Sequence, residues 1–159
     1  MRYVHEADLR WLLDGSAAAA LGMKSAHASF VARLEGSAGT AATDDTDIQD
    51  RLCEAAAKER RIRAVFERCS HRTQRVLTAW ARPDKRSDYW KDLTHVLPLC
   101  AEYDPAKHGK IDGSIALRMK LGNASVEQKA TALELRRAGE RAVSEAMAEY
   151  EELSKARAA

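Results

Sequence analysis

Apolar residues recur along this chain at steps of three and four, the spacing that puts them on one face of an α-helix. Leu9, Leu12 and Leu13 share a face, and Met23, Phe30, Val31 and Leu34 continue the pattern. Gly15-Ser16 interrupts it, with Ser16 placed to cap the next helix, so residues 5 to 35 are expected to form a helical hairpin or one broken helix. Gly36 is a stop signal, and GSAGTAATDDT over 36–46 has no large apolar group and is expected to be a flexible linker. Thr46-x-x-Gln49 is then a capping-box signature. It opens a helix whose apolar positions are Leu52, Ala55, Ile62, Val65, Phe66 and Cys69.

That helix is expected to bend or restart near Ser70. The pattern resumes with Thr73, Val76, Leu77 and Trp80 and ends at Pro83. A third helix is expected from about Ser87, with Tyr89, Trp90, Leu93, Val96 and Leu97 on its face and Pro98 as its kink or stop. Tyr103 to Gly113 is a polar loop, and a short helix over Ser114–Leu121 is closed by Gly122-Asn123. Ser125-x-x-Gln128 is a second capping box. It opens a long last helix carrying Leu135, Gly139, Val143, Ala146, Tyr150 and Leu153 in one stripe. The expected fold is all-α: a compact bundle of about five or six helices with a long C-terminal helix. It divides into an N-terminal arm (1–35), the linker (36–46) and the bundle (47–159), one compact domain in all.

Composition agrees. The chain has 159 residues, 45% hydrophobic and 31% charged, enough to bury a core and too apolar for disorder. Abundant alanine and sparse β-branched residues favour helix. The three cysteines, Cys53, Cys69 and Cys100, are odd in number and form no C-x-x-C pair, which reads as reduced, mostly buried thiols in a cytoplasmic protein. The longest apolar run, Ala17–Met23, is far short of the roughly 20 residues that span a bilayer, and no signal-peptide core is visible, so no membrane partner is expected.

The net charge of +2 decides nothing by itself, because binding depends on where charge sits. Its distribution is more informative. From Lys58 to Arg75 there are seven Lys or Arg against two Glu, Glu59 and Glu67. On one continuous helical wheel, Arg68, Arg72 and Arg75 fall within about 40° of Arg61 and Lys58 within about 60° of it. This basic edge lies beside the apolar stripe. Guanidinium forks suit phosphate oxygens, so the row reads either as a solvated face or as contacts to a DNA or RNA backbone. The alignment holds only if the helix does not break at Ser70. If it does, a helix-turn-helix remains, with Cys69-Ser70-His71 as the turn and Arg72–Arg82 as the second helix, although the turn lacks the usual glycine.

The stretch RIRAVFERCSHRTQRVLTAWARPD, with Arg75, Val76 and Leu77 after the turn at Ser70-His71, resembles phage-encoded helical transcription regulators related to sigma-factor region 4 and small antitermination proteins. The resemblance covers about a sixth of the chain and implies promoter DNA or RNA polymerase as a partner. Trp90-Lys91-Asp92-Leu93-Thr94 stands where the family's second recognition segment belongs and does not match it.

Asp104 to Ile115, DPAKHGKIDGSI, looks like a degenerate EF-hand loop with Gly109 at its sixth position. Ala106 and His108 replace oxygen ligands and Ile115 replaces the bidentate glutamate, so no calcium site is expected. Lys107 and Lys110 in that loop would add to an anion-binding surface. His5, His27, His71, His95 and His108 show no metal-ligand spacing, and Glu145, Glu149 and Glu152 read as a solvated acidic stripe. No catalytic constellation or cofactor motif stands out, so the chain reads as a non-enzyme without cofactor. Two functions remain: a small nucleic-acid-binding regulator of phage or mobile-element type, using Lys58, Arg61, Arg68, Arg72, Arg75, Lys107 and Lys110; or a helical adaptor that binds a partner protein or forms a homodimer, using the N-terminal arm or the alanine-rich last helix.

Overall fold

A computed structural model of the chain describes residues 3–22, 42–82, 89–90, 92–109 and 122–158. Every regular element among them is helical: α1 (Glu6–Leu13), α2 (16–22), α3 (Ala42–Phe66), α4 (His71–Ala81), a 3-10 turn (Leu97–Leu99), α5 (Pro105–His108) and α6 (Val126–Ala158). The expected all-helical bundle with a long last helix is what the chain forms. None of these helices is long and apolar enough to cross a membrane. The pattern over Met23–Gly36, the helix over Ser114–Leu121, and Pro83 lie outside the described residues.

The short α4 is the hub. It packs against α6 and α1, while α3 packs on α1 and α6 and the 3-10 turn rests on α6. The core joins Leu9 of α1, Ile62 and Val65 of α3, Leu77 and Trp80 of α4, and Val143 and Tyr150 of α6, each at most 3% exposed. The N-terminal segment is therefore part of the core, with Leu9 fully buried.

Side chains at helix ends place the elements. Ser125 and Gln128 form the expected reciprocal box: the Gln128 N–H donates to Ser125 Oγ at 3.2 Å and the Ser125 N–H to Gln128 Oε1 at 3.1 Å. Ser16 does not cap α2. Gly15, at φ +93°, makes the turn, and the Asp14 carboxylate accepts from the Ser16 N–H at 2.8 Å. Nor does Thr46 begin α3, which starts at Ala42, so the last five residues of the expected linker are helical. The small residues there are mostly Ala and Asp, which a helix N-terminus accepts and a propensity for alanine extends.

The helix does restart at Ser70. After Phe66 the backbone tightens, with Arg68 N–H to Val65 O at 3.1 Å and Cys69 N–H to Phe66 O at 3.1 Å, and Ser70 turns extended at φ −55°, ψ 150°. Its hydroxyl accepts from the Thr73 N–H at 3.3 Å, the N-cap geometry. Arg61, Arg68, Arg72 and Arg75 therefore do not form a row along one helix.

The segment after Trp90 also departs from expectation. Residues 92–96 are turns leading into the 3-10 turn, with i→i+3 and i→i+4 bonds mixed: Leu93 N–H to Trp90 O at 2.7 Å, Thr94 N–H to Trp90 O at 2.9 Å and Leu97 N–H to Leu93 O at 2.9 Å. Two causes are visible. The Thr94 hydroxyl donates to the Trp90 carbonyl and competes with the ladder, and Pro98 supplies no N–H. Buried Trp90, Leu93 and Val96 recur every three residues, the repeat of a 3-10 winding.

Asp104 caps α5, accepting from the Ala106 N–H at 2.9 Å, and its own N–H donates to His108 Nδ1 at 3.0 Å. The leading carboxylate of the EF-hand-like pattern is thus a helix cap. Among the described residues no three Asp, Glu, His or Cys groups come together as metal ligands. Asp112 and Ile115 lie outside them.

Candidate nucleic-acid interface

The cations divide into those that hold the fold together and those that do not. Arg10 lies over the Trp80 ring, 3.9 Å from its centroid, and pairs with Glu6 at 3.2 Å and Asp92 at 3.1 Å. It therefore ties α1 to α4 and to the 92–96 turns. Arg136 stacks on Tyr89 at 4.5 Å and pairs with Glu140 at 2.9 Å. Lys58 stacks on Trp11 at 4.7 Å and pairs with Asp8 at 3.1 Å, across to α1 and not along α3 to Glu54. The sequence suggested Lys58 as a phosphate contact; its ammonium instead joins two helices. The i,i+4 pair α3 does form is Glu59 with Arg63.

Of the other candidates, Arg61 is exposed on α3, and its carbonyl accepts from Arg157 Nη1 at 2.9 Å. Arg68 is exposed in the turn before α4. Lys107 is exposed on α5, and Lys110 lies outside the described residues. Arg72 and Arg75 are exposed on α4. Among the described candidates, Lys58 is engaged between α3 and α1, and the break at Ser70 separates Arg61 from Arg72 and Arg75. The structure brings Arg75 together with residues that the sequence pattern does not single out.

The reason is the periodicity of α4. Thr73, Val76, Leu77, Trp80 and Ala81 are buried. At 100° per residue their directions centre on one side of the helix, and His71, Arg75, Thr78 and Arg82 centre on the opposite side. No residue of α4 is acidic, and among the described residues no ion pair holds Arg68, Arg72, Arg75 or Arg82. Arg72 stands at the margin of this face, near Glu102. That carboxyl is held below its ordinary range by its own backbone N–H, by Arg141 at 3.1 Å and, from further off, by Arg72.

Alongside this face runs an open cavity of about 520 Å³. His71, Gln74, Arg75, Thr78 and Arg82 form one wall, and the second comes from His95, Pro98 and Leu99 of the turn segment. Phe66 and Ala79, both half-buried, form the floor. Among the described residues no carboxylate lines it. Gln74 is fixed in place, its Nε2 donating to Cys69 O at 3.0 Å and Glu67 O at 3.2 Å. Arg82 was legible in the sequence as the residue seven after Arg75, the same direction on a helix. His95 was not, because only the tertiary fold brings it to α4.

The N-terminus of α4 is already occupied. The Glu149 carboxylate, from α6, accepts from the Ser70 N–H, from Ser70 Oγ at 2.9 Å and from Thr73 Oγ1. Those bonds, Thr73 first, hold its pKa below the usual carboxylate value. Glu149 is therefore a cap reaching across from another helix and not one of a solvated row. An anion meeting this end of α4 finds a carboxylate already in place there. Comparison with protein-family models, curated proteins and solved structures finds no match to the chain.

Proposed function

We propose that the chain is a small, non-enzymatic nucleic-acid-binding regulator that contacts the phosphate backbone through the outward face of α4. One observation carries the reading: Arg75 and Arg82 stand on a helix face without carboxylates, beside Arg72 and Arg68, while Arg10, Lys58 and Arg136 are held by acidic and aromatic partners within the fold. Exposed guanidinium groups that no ion pair holds among the described residues are the donors a polyanion recruits. The resemblance of residues 61–84 to sigma-region-4-like and antitermination regulators makes transcription control the proposed setting. The adaptor reading finds less support. The large exposed apolar residues described are few: Val4, Ile48, Val126 and Leu133.

The test is fluorescence anisotropy of a labelled mixed-sequence DNA strand and its duplex across a salt series. The comparison is a variant carrying Arg72→Ala, Arg75→Ala and Arg82→Ala. The wild type is expected to bind in the micromolar range, as non-specific phosphate contacts do, and the variant to lose about two units of the log–log salt slope. Absence of binding by the wild type at low salt would refute the proposal.

A further inference from the structure

Resting on the nucleic-acid reading of α4, we propose that the groove between α4 and the 95–99 turn receives an unstacked nucleotide, so that the partner is single-stranded. Three features of the groove lead there.

The first is steric. A helix with its side chains is about 10–12 Å across, which already fills a B-DNA major groove about 12 Å wide. α4 does not stand clear. His95, Pro98 and Leu99 rise beside its outward face and form the second wall of the cavity. A duplex meeting this surface touches the rim with its phosphates and cannot bring base edges to the helix. A single strand, whose bases turn out of their stack, meets no such limit.

The second is the character of the interior. Cations sit on the α4 wall, where Arg75 and Arg82 reach phosphate, and the floor and far wall offer Phe66, Ala79, Pro98 and Leu99. A charged wall beside an apolar, partly aromatic floor suits a chain that carries phosphates on one side and flat bases on the other. The volume of about 520 Å³ lies within the range of small-ligand sites, roughly 300–1,000 Å³.

The third is hydrogen-bonding capacity. Both bonds that fix Gln74 leave from Nε2, so Oε1 remains an acceptor at the cavity wall. The Thr78 hydroxyl donates to the Gln74 carbonyl at 2.7 Å and keeps its lone pairs. A base edge, with an exocyclic amine to donate, finds acceptors among cationic donors.

The experiment measures affinity for a fluorescein-labelled DNA strand of about 16 nucleotides and for the same sequence as a duplex, at equal salt. The wild type is compared with Ala79→Trp, which fills the floor, after thermal unfolding has verified that the variant folds. The strand is expected to bind the wild type at least about tenfold more tightly than the duplex, and Ala79→Trp to abolish that preference. On the wild type alone, a strand carrying 5-iodouracil is expected to photocrosslink to the peptide containing Phe66 or to the one containing His95–Leu99. Equal or tighter binding of the duplex, a preference surviving in a folded Ala79→Trp, or crosslinks confined to other peptides would each overturn the inference while leaving a nucleic-acid interface in place. If neither strand nor duplex binds at low salt, the reading of α4 fails and takes this inference with it.

Discussion

Replacing Glu149 by Ala removes one carboxylate that serves two helices, and the cost is set by its partners. Thr73 is buried, and without Glu149 its hydroxyl loses the carboxylate acceptor, a loss of about 1–2 kcal/mol. Ser70 is exposed, so its N–H and hydroxyl return to water at little cost. A negative charge at the start of α4 adds about 0.3–1 kcal/mol through the helix dipole. The total is about 2 kcal/mol, or about 4–8 °C in Tm for a domain of this size. The sign with pH comes from the lowered pKa. The stabilisation is fully present above the unfolded carboxylate value near 4.5 and is lost as pH falls through the lower folded value. Urea unfolding followed by circular dichroism, at pH 7 and at steps down to pH 3, is therefore expected to show Glu149→Ala about 2 kcal/mol below wild type at neutral pH, with the gap narrowing in acid as the charge-dependent part is lost. Glu149→Gln, which keeps an acceptor and loses the charge, should fall between them. A Glu149→Ala protein within about 0.5 kcal/mol of wild type at pH 7, or a gap that does not narrow in acid, would refute the assignment of Glu149 as the cap of α4.

Two further outcomes are expected. Brief alkylation of the native protein, read by peptide mass spectrometry, should label exposed Cys53 and spare Cys69 and Cys100; both are buried, with the Cys69 thiol pushed up to about 11, mainly by burial and then by Glu149. Gly139 of α6 faces the turn segment so closely that an added Cβ would lie 3.2 Å from Leu93 Cδ2 and 3.4 Å from Leu97 Cδ2. Gly139→Val should therefore destabilise the chain by about 1–3 kcal/mol in urea unfolding despite leaving a poor helix former behind, and wild-type stability would contradict that close approach.

The sequence made some of this visible and hid the rest for identifiable reasons. Helix type and most helix faces were legible because they depend on neighbours within one or two turns, as with the Ser125–Gln128 box and the buried stripe of α6. What misled was competition between local signals. Thr46-x-x-Gln49 has the spacing of a cap, yet Ala42–Asp45 are themselves compatible with helix, and α3 simply begins earlier. The 92–96 segment has apolar positions that suit either an α-helix or a tighter winding, and Thr94 and Pro98 decide for the latter. The candidate site suffered most from long-range pairing. Nothing near Lys58 in sequence reveals Asp8 and Trp11 as its partners, and nothing near Ser70 reveals Glu149.

The same long-range pairings define what α4 can do. Its buried face, with Leu77 and Trp80, fixes it on α6 and α1, and Arg10 clamps Trp80 from outside. The Glu149 carboxylate sits at the N-terminus of α4, on the Ser70 N–H and hydroxyl and the Thr73 hydroxyl, so the dipole end that elsewhere attracts phosphate already carries a carboxylate. On the proposed reading, anion binding on this helix then falls chiefly to Arg72, Arg75 and Arg82. Contacts of that kind act through charge and counterion release, and their strength varies steeply with salt. Selectivity has to come from elsewhere, and beside those guanidinium groups the fold has placed the apolar floor of the groove and the fixed amide of Gln74. Affinity from the rim and choice from the floor are therefore separable: substitutions at Arg75 and Arg82 should weaken every nucleic acid alike, and substitutions at Ala79 should weaken only a strand whose bases are free to enter.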